Sequence, residues 1–131
     1  MLKYCFHITP VSKDSEKQSL IPTAWRGVLT AIVDSIARGE CEKLAEIPGV
    51  RPIADSKCRE IYKNVEDYGV RLVELPEATW NTSACQWMEG YWEVLVDLFS
   101  EEEGASDLAL NVRVYEAGLD YSFEVRAIYV P

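Results

Sequence analysis

A single histidine, His7, and only two methionines occur in 131 residues, and the four cysteines form no C-x-x-C pair. One histidine gives little material for acid–base chemistry, which needs a nucleophile or carboxylate partner in reach. Without paired cysteine spacing, a zinc site is not expected at Cys5, Cys41, Cys58 or Cys85. The seven glycines are scattered, and no glycine-rich loop is present to cradle phosphate. No apolar run has the length needed to span a bilayer. The first residues, "MLKYCFHITPVSKDSEKQ", lack the long apolar core and small-residue cleavage site of an export signal. The expectation is therefore a cytoplasmic chain with reduced cysteines, although an even cysteine count would also allow two disulfides.

Basic residues are scarce where acidic ones are plentiful. Residues 1–65 hold ten Lys and Arg against eight Asp and Glu; residues 66–131 hold three (Arg71, Arg113, Arg126) against fourteen. The net charge of −9 is thus carried by the second half. Such a surface repels nucleic acid and anionic membranes and attracts basic partners. Apolar residues make up 48% and aromatics 11%, too many for a disordered acidic tail, so the chain is read as one domain over residues 1–131.

Periodicity supplies the elements. Over residues 20–38, Trp25, Val28, Leu29, Ile32, Val33 and Ile36 recur at three- and four-residue spacing, which predicts a helix closed by Gly39. A short helical turn over 40–47 precedes "IPGVRPI", a loop. A second helix is expected from Asp55 as N-cap, through Cys58, Ile61, Tyr62 and Val65, to Gly69. "VRLVEL", residues 70–75, reads as a strand, and 76–90 as a loop with a helical turn. Three alternating runs follow. Trp92, Val94, Val96 and Leu98 share one face; so do Leu108, Leu110, Val112 and Val114; so do Tyr121, Phe123, Val125 and Ala127. "EAGLD" at 116–120 is a tight hairpin turn. The fold class is α+β: two N-terminal helices packed on one face of an antiparallel sheet ending in a three-strand C-terminal meander.

Between the first two runs stands "SEEEGASD", residues 100–107. It lacks the alternating carboxylates of a calcium loop, and a charge run ordinarily marks a solvated turn. Other carboxylates lie in the same meander, and aromatics cluster just before it, a composition that suits an interface with a charged rim. The candidate partner-binding residues are Trp80, Trp87, Glu89, Tyr91, Glu93, Asp97, Glu101, Glu102, Glu103 and Asp107. The tryptophans suit a core equally well, and Trp92 falls on the inward side. No catalytic, cofactor-binding or metal-binding residue is assigned.

The stretch "LPEATWNTSACQWMEGYWEVLVDLFSEEEGASDLALNVRV" resembles a family of small bacterial domains with the pattern "LPEETW…W…YW.VLVDLWTEEEGRSDLVL…V…VYVP". The resemblance runs from about Trp25 to the terminal "YVP"; Ala105 stands where that pattern has arginine, and Phe99 where it has tryptophan. It implies an α+β domain in a bacterial cytoplasm and brings no catalytic residue. The composition is also similar to that of immunity proteins of bacterial toxin systems, including contact-dependent growth inhibition. That similarity implies a non-enzymatic protein that neutralises a basic toxin domain, a nuclease above all, by plugging its phosphate-binding cleft with an acidic, Trp-flanked face. The alternatives are a small-molecule-binding or enzymatic domain with a pocket near Trp80–Trp92, and a housekeeping protein-interaction module.

Overall fold

The computed structural model describes residues 8–131; His7 and Cys5 lie outside the described residues. Strand β1 (Ser19–Leu20) leads into helix α1 (Thr23–Ala37), a 3-10 helix (Cys41–Glu46) and helix α2 (Asp55–Tyr68). A second 3-10 helix (Glu77–Asn81) precedes β2 (Ala84–Trp87), β3 (Trp92–Ser100), β4 (Gly104–Ala117) and β5 (Asp120–Tyr129). The five strands form one sheet in sequence order, antiparallel throughout. The class is α+β.

Both helices follow their apolar spacing. Trp25, Leu29, Ile32, Val33 and Ile36 of α1 are buried, and Gly39 leaves the helix with φ 76°. Pro22 stands just before α1 as its N-cap. In α2, Cys58 and Ile61 are buried, and Gly69 at φ 92° supplies the left-handed stop. Asp55 is the first helical residue, not the cap, which is Ala54. The core is shared between layers: Trp25 meets Trp92, Tyr121 and Phe123 edge-on at 5.1, 5.3 and 6.4 Å. Such aromatic pairs add to the burial of their own area.

The inward residues of β3 and β4 are those the alternation predicts, all buried at 2% exposure or less. Strand β5 departs from its expected pattern. Val125 pairs with Val112 and Ala127 with Asn111, so Arg126 is an extra residue on this strand. A bulge of one residue reverses the facing beyond it, which turns Ala127 outward and buries Ile128 instead. Strand β4 is irregular too: between the Asp97–Ala109 and Phe99–Ala105 pairs the register shifts, and Ser106 Oγ fills the gap by donating to the Leu98 carbonyl at 2.7 Å.

Three local expectations are corrected. Residues 70–75 are not a strand: they make an isolated bridge between Leu72 and Ser100, flanked by single backbone bonds from Val73 N–H to Phe99 O and from Glu101 N–H to Arg71 O. The supposed loop 76–90 contains β2, a strand of four residues and too short to betray its period. The cysteines expected to be reduced include a pair, Cys41 and Cys58, that is disulfide-bonded between the first 3-10 helix and α2, both fully buried. Among the described residues no helix is long and apolar enough to cross a membrane.

Candidate functional site: the acidic hairpin and the cleft beside it

The turn from β3 to β4 consists of Glu101, Glu102 and Glu103, with Ser100 paired to Gly104 at its base. Gly104 has φ 72°, a conformation that a Cβ would strain, which is why glycine follows the glutamates. Ser100 Oγ is buried at the base and accepts the N–H of Glu103 at 3.0 Å.

The glutamates are not a free-standing solvated tip. Glu102 Oε1 accepts the backbone N–H of Arg71 at 2.9 Å, while the Arg71 carbonyl accepts the N–H of Glu101 at 2.9 Å. The Arg71 guanidinium Nε stands 3.6 Å from carboxylate oxygens of both Glu101 and Glu102. Tyr68, at the end of α2, donates its hydroxyl to Glu103 at 2.8 Å and accepts the N–H of Asp107 at 3.1 Å. The Arg71 N–H, aided by the guanidinium charge, holds the Glu102 carboxyl below its ordinary range. The turn is thus clamped to the segment after α2, with one guanidinium among three carboxylates. Tyr68 and Arg71 escaped sequence reasoning, because nothing local marks a contact across thirty-odd residues.

The remaining candidates fall elsewhere. Trp80 is buried at 5% exposure and fills the core, so its ring offers no contact surface. Trp87 closes β2 opposite Trp92 at the start of β3, the end away from the glutamates, its ring 4.5 Å from Trp92 and Lys13 Nζ 5.1 Å from its centroid. Glu89 and Tyr91 belong to the adjoining turn from β2 to β3. Nine residues of β3 separate that turn from the glutamates, about 27 Å at the usual strand rise. Trp87 therefore does not flank the acidic turn. Between the two ends, the outer face of the sheet is largely charge-balanced. Glu93 accepts from Asn111 at 2.9 Å and lies 3.5 Å from Arg113, whose guanidinium covers the Tyr91 ring at 4.6 Å. Glu124 accepts the Tyr115 hydroxyl at 2.8 Å and lies 3.7 Å from Arg126. Asp97 lies on this face, half-buried. Of the ten candidates, the structure gathers Glu101, Glu102, Glu103 and Asp107.

A cleft of about 470 Å³ opens where α1, α2 and the 70–72 segment meet the turn. Ile36, Val65, Val70 and Leu72 line it, together with the charged Glu66, Arg71 and Glu101. Tyr62 lines it as well, its hydroxyl accepting the N–H of disulfide-bonded Cys41 at 2.7 Å. Trp80 and Trp92 are buried, and the Trp87 ring packs against Trp92.

An antiparallel sheet carrying a clamped acidic hairpin, with two helices sharing its core, defines the class as a small α+β domain. The chain belongs to the family described as Domain of unknown function (DUF7668), which matches residues 33–131, from within α1 through the hairpin to the last residue. No curated protein and no solved structure matches it.

Proposed function

We propose that this domain is a non-enzymatic binding protein that neutralises a basic partner, in the manner of an immunity protein blocking a nuclease toxin. The observation that carries this reading is the clamped hairpin: Glu101, Glu102 and Glu103 are held at one end of the sheet by Tyr68 and Arg71, with a single guanidinium against them among the described residues. A cationic cleft built for phosphates would meet a preorganised cluster of carboxylates, with little side-chain entropy left to lose. The contact surface is the hairpin end, including Asp107, rather than the tryptophan end of β3. Nucleic acid and anionic membranes are disfavoured partners for the same electrostatic reason.

The test begins with capture of partners from an extract of the source cells on the immobilised chain and on a Glu101→Gln/Asp107→Asn variant. These side chains are exposed, and neither accepts a hydrogen bond from the segment after α2. The captured protein is then assayed for nuclease activity with and without one equivalent of the domain. The association rate is followed as salt rises towards 1 M, where screening shortens to about 3 Å. A basic partner whose activity is blocked, and whose association slows with salt and with the double substitution, supports the reading. An acidic partner, or an association rate indifferent to both, overturns it.

A further inference from the structure

The cleft beside the hairpin combines two linings that seldom suit one ligand. Its floor is aliphatic, from Ile36 of α1, Val65 of α2, and Val70 and Leu72 of the following segment. Its charged lining is the carboxylates Glu66 and Glu101, with the Arg71 guanidinium against Glu101. A long basic side chain has the complementary division, an alkyl stem that prefers apolar contact and a cationic head that stays near water and carboxylates. The fold already contains one example of the head contact: the Arg71 guanidinium lies 3.6 Å from Glu101 and from Glu102. Among the described residues Glu66 has no ion-pair partner, and it faces the same space. The cleft volume of about 470 Å³ is within the usual range for a ligand site.

We infer that this cleft is the pocket for an alkylguanidinium group, an arginine side chain of the basic partner, whose stem lies on Val65, Val70 and Leu72 and whose head meets Glu66 and Glu101. This rests on the proposed binding function and names the side chain that its contact surface receives. Arginine suits the site better than lysine because a planar fork can engage two carboxylates at once and is more weakly hydrated. Arg71 then acts as a competitor in the wild-type chain. Its guanidinium stands against Glu101, one of the two carboxylates the incoming head would meet, and also lies near Glu102, which its backbone N–H holds at 2.9 Å.

The experiment is a titration of the isotope-labelled domain with n-butylguanidinium, followed through backbone amide shifts, against guanidinium and neutral N-butylurea as controls. The expected result is saturable shifts at Val65, Val70 and Leu72 with butylguanidinium, several-fold tighter than with guanidinium and absent with the urea. Glu101→Gln should weaken binding about two- to five-fold, the usual range for one exposed charge contact. Arg71→Ala should tighten it, whereas a merely structural role for Arg71 would leave binding unchanged or weaken it. Equal shifts from guanidinium and butylguanidinium, or unchanged or weaker binding by Arg71→Ala, would overturn the inference. A butylguanidinium site in a protein that captures no basic partner leaves the cleft assignment standing and refutes the binding function. A captured basic partner with no probe binding at the cleft does the reverse.

Discussion

Reducing the Cys41–Cys58 bond is the most informative single perturbation of this fold. The bond closes a loop of sequence separation 17, from the 3-10 helix after α1 to the second turn of α2. In the chain-entropy description, a loop of that length restricts the unfolded chain by about 3 kcal/mol at room temperature. A chain of 131 residues has an unfolding entropy near 0.28 kcal/mol/K at about 2.1 cal/mol/K per residue. The ratio places the loss of melting temperature near 11 °C. Both sulfurs are fully buried, so reductant should act only after partial opening, and the oxidised form should persist in mild reductant at room temperature. The assay is thermal unfolding by circular dichroism, with and without prior reduction in denaturant, alongside a Cys41→Ala/Cys58→Ala variant that should be indifferent to reductant. Peptide mapping after alkylation in denaturant identifies the bonded pair. An oxidised wild type whose melting temperature is unmoved by reduction would refute the assignment of stability to this loop. Alkylation of Cys41 and Cys58 without reduction would refute the bond itself.

Val112→Asp places an unpaired carboxylate between Val94 and Val125 in the sheet core, and the cooperative unfolding transition should disappear. Leu110→Ala at a fully buried neighbour should cost about 2–5 kcal/mol and leave a folded chain, measurable by urea denaturation. The Glu102 carboxyl titrates below its ordinary value of 4.5 because the Arg71 N–H binds the charged form, so its stabilisation is present above that value and is lost as pH falls through the lower folded value. The Arg71 amide shift should report that titration in an acid series, and a midpoint above 4.5 would contradict it. Burial pushes the Cys85 thiol up to about 11, so iodoacetamide at pH 8 should leave it unmodified in the native protein and alkylate it in denaturant, as read by mass spectrometry.

Helix α1 and strands β3 and β4 were legible in the sequence because each buries one face, and a buried face prints its own period on neighbouring residues. Gly39, Gly69 and Gly104 were equally readable as stops and turns, since their positive φ is a local demand of the backbone. The excess of acid in residues 66–131 is likewise a property of composition alone. What the tertiary structure decided is everything that depends on a partner distant in the chain. The bulge at Arg126 exchanged Ala127 for Ile128 in the core, because register is set across the β4–β5 ladder rather than within β5. "VRLVEL" has a strand's composition but makes only one bridge, and its neighbouring backbone groups are spent on the glutamate turn. Sequence proximity joined Trp87 to Glu101, and the extended geometry of β3 put them at opposite ends of the sheet. Glutamates that read as a solvated tip are anchored by Tyr68 and Arg71, because α2 ends where the hairpin turns. Local patterns record which side of an element is dry; only the packed chain determines which elements meet and where their charges gather.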